Sequence, residues 1–217
     1  MDFAAARLNM VDNQLRTSRV LDEGLLDAFL AIPRERFVPV ALHDAAYCDE
    51  DLPLGNGRML MEPMILGRLL QEARIAPGDK VLDIGCASGY AAAIIARLAN
   101  RVIAVEEDPA LASAARARLA ELGVLHVDVV EAPLRTGHSD EAPYDVIIIE
   151  GAVGHVSDAL ASQLVEGGRL VAVVKAGGGV GRAMLMTRIR GRLSQLPLFD
   201  AAVPLLPGFQ PTPSFIF

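Results

Sequence analysis

A loop of small residues after an apolar segment is the part of this chain best suited to binding a ligand. Residues 81–90 read VLDIGCASGY, so an apolar stretch with Asp83 near its end runs into Gly85, three small residues and Gly89. The three small residues are Cys86, Ala87 and Ser88. Glycine adopts backbone conformations closed to other residues, and small side chains let a ligand lie against the main chain. The alanine-rich residues 90–99 are predicted to form a helix whose first amides point at that ligand.

The spacing within the loop distinguishes two classes of nucleotide-like ligand. The dinucleotide fingerprint G-x-G-x-x-G is incomplete here, because Ala87 holds its second position and Tyr90 its third. The pattern D-x-G-x-A-x-G instead fits the loop of S-adenosylmethionine (SAM) enzymes, where a carboxylate such as Asp83 lies near the cationic end of the cofactor. Glu106 ends the next predicted strand, where an acid can accept both ribose hydroxyls. The sequence therefore predicts a SAM site, although similar turns connect strand and helix in other α/β proteins.

Length, charge and composition exclude several function classes. A chain of 217 residues suits one α/β domain with an appendage. Its net charge of −7, without a basic stripe of interleaved aromatic residues, argues against a nucleic-acid partner. No basic leader or membrane-length apolar run is seen, so we expect a soluble, cytoplasmic protein without a membrane partner. We expect neither a disulfide nor a metal site, because the following residues lack ligand spacing: Cys48, Cys86, His43, His126, His138 and His155.

Alternating strands and helices give the fold class. Strands are predicted at residues 81–84, 101–106, 125–130, 144–149 and 169–174, and helices at residues 90–99, 109–122 and 158–165. Alternation at this pitch is typical of a doubly wound, mostly parallel Rossmann-like sheet. Residues 183–190 and 193–199 flank a Gly-Arg turn and predict an antiparallel hairpin at the end of this α/β domain.

The segments at the two ends of the chain differ from this pattern. Residues 1–62 are expected to form a helical extension and a substrate-side loop, with helices at residues 9–19 and around 25–30, and residues 63–217 the SAM-binding domain. Pro63 suits the first position of a further helix. The charged run Arg34-Glu35-Arg36 predicts a solvated face. Three glycines at residues 177–179 lack the lysine of a phosphate loop and predict a flexible connection.

The Pro-rich tail, residues 204–217, carries three phenylalanines: Phe209, Phe215 and Phe217. Three roles are open to these phenylalanines: covering the cleft, forming a homodimer contact, or simple packing against the domain.

Taken together, these motifs resemble the protein-L-isoaspartate O-methyltransferase family. The segments MVDNQLR at residues 10–16, IPRERFVP at residues 32–39 and LPLG at residues 52–55 are similar to that family's lead-in, which is more specific than the SAM loop. The resemblance covers nearly the whole chain. It implies a SAM-dependent enzyme whose amino-terminal extension helps to form the substrate cleft, acting on a peptide or protein that carries isoaspartate.

Three positions depart from the family pattern. Met61 stands where the family has an active-site serine near the methyl donor and the substrate carboxylate, and Glu62 follows it. Glu131 and Ala132 replace an aspartate-glycine pair on the adenine side, so the expected carboxylate is lost or shifted to Glu131. Glu150 replaces a small or hydroxyl residue after the fourth strand. A thioether cannot donate the hydrogen bond that a serine donates.

These departures leave three hypotheses about the reaction. In the first, a damaged aspartyl residue is methylated on its carboxylate, which is ionised at neutral pH and needs no base, so that alignment supplies most of the catalysis. In the second, the acceptor is a different small or peptidic molecule, because Glu62 and Glu150 repel a carboxylate and either can serve as a base. In the third, the chain is a SAM- or isoaspartate-binding module with little turnover. Both glutamates are also compatible with a purely solvated position.

Overall fold

The computed structural model describes residues 1–209, and a seven-stranded sheet forms its centre. The strands of the described chain, including two in a separate hairpin, are β1 (Leu52–Gly55), β2 (Arg58–Leu60), β3 (Lys80–Ile84), β4 (Arg101–Glu106), β5 (Val127–Glu131), β6 (Tyr144–Val153), β7 (Leu164–Val174), β8 (Gly181–Ile189) and β9 (Arg192–Ala201). The large sheet has the order β5-β4-β3-β6-β7-β8-β9, and β1 pairs with β2. Strands β3 to β7 are parallel and β7 to β9 antiparallel, which confirms the predicted fold class.

The strand order places a ligand site at one edge of the sheet. The chain runs outward from β3 through β4 to β5 and then returns to the other side of β3 with β6. Ligands of doubly wound sheets bind at the carboxyl ends of the strands where the order reverses in this way. Asp83 pairs in register with Ala104 of β4 and with Ile148 of β6. The residues that follow these three strands therefore meet at one place.

The α-helices that accompany the strands in the described chain are α1 (Phe3–Met10), α2 (Glu23–Ala31), α3 (Pro63–Ala73), α4 (Tyr90–Ile95), α5 (Pro109–Glu121) and α6 (Asp158–Ala161). Helices α2 and α5, which the sequence predicts well, each begin after an acidic N-cap residue. Asp22 accepts the Leu25 amide at 2.9 Å, and Asp108 accepts the Ala110 amide at 2.8 Å. Such caps satisfy amides that have no partner within the helix.

Several predicted boundaries are wrong. The first helix begins at Phe3 rather than near residue 9, because the Asp2 carboxylate caps it, accepting the amides of Ala4 and Ala5 at 3.0 and 3.1 Å. Short π and 3-10 turns continue it to Ser18. Helix α6 stops at Ala161 instead of residue 165, and α4 stops at Ile95 instead of residue 99. Helix propensity alone does not show these ends, because strand pairing and tertiary packing set them.

Two strands are longer than the sequence predicts. Strand β7 begins at Leu164 rather than at residue 169, because Leu164 pairs with Tyr144. Strand β6 continues four residues beyond the predicted end, to Val153, through an irregularity between Ile148 and Ala152. Its last residues pair with β7 on one side and with the carboxy-terminal segment on the other. Glu150 therefore lies within a strand, at the centre of the sheet edge.

The amino-terminal extension is less exposed than expected. Residues 34–61 contain two 3-10 turns and the β1–β2 hairpin. The prediction of a solvated Arg34-Glu35 pair is wrong, since Arg34 is fully buried and Glu35 is 8% exposed. Arg34 donates hydrogen bonds to the carbonyl oxygens of Ala46 at 2.7 Å and Met61 at 2.8 Å. A buried guanidinium is retained here because it ties the chain leading to α3 to the rest of the extension.

The carboxy-terminal segment crosses the same sheet edge. The Ala152 amide donates to the Pro204 carbonyl at 2.9 Å, and the Leu206 amide donates to the Ala152 carbonyl at 2.8 Å. Phe209 is 4% exposed and belongs to an apolar cluster that includes Ile149 and Leu206. Phe215 and Phe217 lie outside the described residues. This segment therefore covers the end of β6. Within residues 1–209, no helix has both the length and the apolar character that crossing a bilayer requires.

Candidate active site

The β3–α4 loop has the backbone that its small residues predict. Gly85 and Gly89 have φ of +80° and +89°, and Ala87 also adopts the left-handed region at +47°. A Cβ atom on Gly85 would lie 3.0 Å from Nη2 of Arg58 and 3.3 Å from the Leu206 side chain. Glycine at this position therefore provides both the turn and the close approach of other groups.

Four hydrogen bonds converge on the buried Glu106 carboxylate. Oε2 accepts the Ala87 amide at 2.8 Å and Nη2 of Arg58 at 2.9 Å. Oε1 accepts the amides of Glu107 at 2.9 Å and Asp108 at 3.1 Å. A carboxylate has about four acceptor positions, so these donors occupy its capacity. A ribose hydroxyl can therefore donate a hydrogen bond to Glu106 only if one of these four donors moves away from the carboxylate.

Arg58 is a site residue that sequence reasoning missed. It belongs to β2, and its Nη2 also donates to the Gly85 carbonyl at 2.7 Å. The side chains of Arg58 and Glu106 are only 4% and 1% exposed, so this is a buried ion pair. Removing one partner of such a pair typically costs about 3 to 5 kcal/mol of stability. Its one signal in the sequence is a cation within an otherwise apolar RMLM segment, 48 residues away from its partner.

Asp83 and Glu150 form a second buried pair, in which both groups are acidic. Asp83 is fully buried and Glu150 is 6% exposed. Within residues 1–209, both Asp83 oxygens and Oε1 of Glu150 are buried without a donor from the protein. Burial and the charge of Glu106 raise the pKa of Asp83 to about 7, and burial and the charge of Asp83 raise the pKa of Glu150 well above its usual range. Two carboxylates cannot hydrogen-bond to each other, so a bond between these neighbours requires that one of them carries a proton.

A small cavity joins Glu150 to the predicted catalytic position 61. It measures about 10 Å³, and Arg58, Met61, Glu150, Asp51 and Leu206 are among its lining residues. Met61 is 3% exposed, and its carbonyl is fixed by Arg34. A volume of this size holds at most one water molecule. A larger group next to Met61 therefore requires some of the lining residues to move.

Glu62 lies at the rim of the site rather than in this cavity. Its amide donates to Asp51 Oδ1 at 2.8 Å, and its side chain is partly exposed at the start of α3. Partial burial and the charges of Asp49, Asp51 and Glu50 raise its pKa to about 7. Met61 and Glu150 therefore lie together, while Glu62 belongs to an acidic rim beside them.

Glu131 and Ala132, which the sequence assigns to the adenine side, lie at the end of β5. Glu131 is exposed, and the Ala132 amide donates to the Glu106 carbonyl at 3.2 Å. A cavity of about 210 Å³ lies near the end of this strand and the β1–β2 hairpin, and we call it the ribose-side cavity. Its lining residues include Asn56, Arg58, Glu106, Asp108 and Leu134. The role of Glu131 stays a prediction.

An open groove leads away from the small cavity on the other side. It measures about 510 Å³ and shares Asp51, Val203 and Pro204 with the cavity. Lys175 and the triple-glycine connection form its far wall. Added Cβ atoms at Gly178 and Gly179 would meet no atom within 4 Å, so this wall is open backbone. The groove has the size of a ligand site, and both a cation, Lys175, and an acid, Asp51, line it.

The residues of the site fit SAM. Asp83 presents two unpaired buried oxygens to a cationic group, and the Ser88 hydroxyl is likewise buried without a partner among the described residues. The glycine turn brings backbone close to the ribose-side cavity, and Glu106 lies between that cavity and the loop. Buried polar atoms of this kind are normally satisfied, so a polar ligand accounts for them.

Comparisons with known proteins agree with this geometry. The family model for protein-L-isoaspartate(D-aspartate) O-methyltransferase matches residues 6–198. A protein-L-isoaspartate O-methyltransferase of Koribacter versatilis is 40% identical over 213 residues, covering 96% of this chain and 95% of that protein. The protein of the same name from Methylorubrum extorquens is 40% identical over 211 residues, covering 95% and 91% respectively.

Solved structures show the same fold. A protein-L-isoaspartate O-methyltransferase structure superposes with a TM-score of 0.83 at 24% identity, covering 94% of this chain and 67% of that one. A Plasmodium falciparum β-aspartate methyltransferase in complex with S-adenosyl-L-homocysteine superposes with a TM-score of 0.79 at 17% identity, covering 92% and 97%. The sequence-based predictions of family and cofactor are confirmed. The chain belongs to the protein-L-isoaspartate(D-aspartate) O-methyltransferase family, whose enzymes are SAM-dependent methyltransferases.

Proposed function

We propose that this enzyme transfers the methyl group of SAM to the free carboxylate of an isoaspartyl residue in a peptide or protein. The observation that carries this proposal is the match to isoaspartyl methyltransferases along residues 6–198, which includes both the cofactor loop and the amino-terminal extension. The groove beside Lys175 supports it, because it offers a cation to an acidic peptide next to the small cavity.

The chain's own residues provide alignment and exclusion of water. Bound SAM supplies an electrophilic methyl group, which a carboxylate oxygen attacks in line while the electron pair of the broken carbon–sulfur bond stays on sulfur. Met61 and Leu206 give this point an apolar wall, and Arg34 fixes the main chain of Met61. No residue has to remove a proton, because the acceptor carboxylate is already ionised. Holding two aligned reactants contributes about 7 to 11 kcal/mol in ideal cases.

Glu150 is compatible with a carboxylate acceptor if it keeps its proton. Burial and the neighbouring Asp83 charge raise its pKa well above its usual range, which favours the protonated, neutral form of the group. A neutral carboxyl does not repel an incoming carboxylate and can donate a hydrogen bond.

A second function is favoured by the acidic rim. Glu62, whose pKa is raised to about 7, is well matched to general-base catalysis at neutral pH. The charges of Asp49, Glu50 and Asp51 around it favour a neutral or cationic acceptor over a carboxylate. An acceptor with a hydroxyl or amine would need such a base.

Paired peptides test the proposed function. Two synthetic peptides that differ only in an isoaspartyl or a normal aspartyl residue are incubated with the purified enzyme and methyl-labelled SAM. We expect label in the isoaspartyl peptide and background in its partner. Tight S-adenosylhomocysteine binding, with neither peptide labelled, would reject isoaspartyl transfer and favour the second function.

A further inference from the structure

Arg58 is the side-chain donor among the four groups that occupy Glu106. The other three donors are backbone amides of Ala87, Glu107 and Asp108, which the β3–α4 loop and the start of α5 hold in place. A ligand hydroxyl that bonds to Glu106 therefore displaces Arg58 most easily, because a side chain can rotate away while the loop backbone cannot.

The Arg58 side chain lies between the two cavities of the site. It lines the cavity of about 210 Å³ on the ribose side and the cavity of about 10 Å³ beside Met61 and Glu150. Its Nε is buried without a hydrogen-bond partner among residues 1–209, so the guanidinium has a donor to spare. The same side chain therefore borders both cavities, and rotation about its torsions can carry the charged group from one towards the other.

Charge favours such a rotation once the cofactor is present. Arg58 lies among three buried carboxyls, those of Asp83, Glu106 and Glu150. The ammonium group that SAM and S-adenosylhomocysteine share would bring a positive charge to this group of carboxyls and so replace part of the charge that the guanidinium supplies. A guanidinium cannot lose its proton in a protein and must find another acceptor.

We propose that ribose binding displaces Arg58 from Glu106 and that the freed guanidinium then pairs with the acceptor carboxylate beside Met61. The inference rests on the isoaspartyl function proposed above. The planar guanidinium binds a carboxylate through two parallel hydrogen bonds, which supplies the recognition that a methionine at position 61 cannot. Cofactor binding thus completes the acceptor site, and acceptor binding follows cofactor binding.

The proposal predicts opposite effects of one substitution on two ligands. In Arg58→Met, S-adenosylhomocysteine no longer competes with a charged hydrogen bond, so its dissociation constant should fall about tenfold. The KM for an isoaspartyl peptide should rise about tenfold or more, because the carboxylate loses its partner. Arg192→Met is the control. It removes an exposed charge at the start of β9 and should change neither value.

Calorimetry with S-adenosylhomocysteine and steady-state kinetics with the isoaspartyl peptide give the two readouts, with melting curves to check folding. If Arg58→Met does not fold, Arg58→Lys decides, since a single ammonium cannot form the paired bonds and should raise the peptide KM several-fold. An unchanged peptide KM in a folded variant overturns the role of Arg58 while leaving the isoaspartyl function intact. Wild-type enzyme that binds S-adenosylhomocysteine but does not methylate the peptide overturns both.

Discussion

The carboxyl groups of Asp83 and Glu150 are neighbours in the buried centre of the site, and burial raises the pKa of both. The register of β3 against β6 places them together, since Asp83 pairs with Ile148. With Glu106 they surround a single guanidinium, that of Arg58. The site is therefore arranged for a cationic ligand, and its charge depends on pH.

The two buried acids make the stability of the enzyme depend on pH. Burial raises the pKa of Asp83 and Glu150, so the folded state binds more protons than the unfolded state above the ordinary carboxyl range. The free energy of unfolding then falls as pH rises towards the raised values. We expect Glu150→Gln to melt higher than wild type at pH 8, by about 2 to 4 °C for each kcal/mol, and to match it more closely at pH 5.

Scanning calorimetry between pH 5 and 8 measures this difference. Glu62→Gln is the comparison. Glu62 also has a raised pKa, so it contributes its own decrease in the free energy of unfolding as pH rises to about 7. The same pH dependence in wild type and Glu150→Gln would show that the pKa of Glu150 is not raised in the folded enzyme.

Glu106 should be required for cofactor binding. Glu106→Gln keeps the shape of the side chain but loses the charge and one oxygen acceptor. We expect the affinity for S-adenosylhomocysteine to fall tenfold to a hundredfold, or about 1.5 to 3 kcal/mol. Glu121→Gln, at an exposed ion pair on α5, is the matched control. Isothermal titration that finds equal affinities in both variants would remove Glu106 from the cofactor site.

Met61 should limit the rate on isoaspartyl peptides. Met61→Ser adds a hydroxyl donor to the cavity that Glu150 shares, and a hydrogen bond to a charged group contributes about 1.5 to 3 kcal/mol. We therefore expect kcat/KM to rise tenfold to a hundredfold. Met64→Ser, a change of the same kind in the first turn of α3, serves as control. A Met61→Ser enzyme no faster than wild type would mean that the cleft compensates elsewhere.

Glu62 separates the two candidate reactions by the sign of its effect. If the acceptor is a carboxylate, Glu62→Gln removes a like charge at the rim and should lower the peptide KM several-fold. If Glu62 is the base for a neutral acceptor, the same change should reduce turnover about 10²- to 10⁴-fold and abolish the pH dependence near 7. If the Glu62→Gln variant has the same kinetics as wild type on every acceptor tested, Glu62 is a solvated carboxylate without a role in the reaction.

The cofactor side of this site was predictable because its signals are local. Asp83, Gly85 and Gly89 lie within seven residues, and the positive φ of both glycines follows from the turn they form. The alternation of strands and helices predicts the parallel sheet in the same way. Family resemblance added the position of Met61.

The rest depends on contacts between distant segments. Arg58 meets Glu106 across 48 residues, and the burial of Arg34 follows from carbonyl oxygens 12 and 27 residues further along the chain. The early start of β7 depends on its pairing with β6. Local propensity and periodicity carry no information about such partners, so sequence reasoning placed Arg34 in solvent and left Arg58 out of the site.

The chemical nature of the methylated product tests the central claim most directly. Enzyme, methyl-labelled SAM and isoaspartyl peptide are allowed to react, and the purified product is held at mildly alkaline pH while released methanol is measured. A carboxylate acceptor gives a methyl ester, which hydrolyses, so we predict that nearly all the label leaves as methanol. Label that stays on the peptide, as a nitrogen- or sulfur-bound methyl group does, would contradict carboxyl transfer at this site.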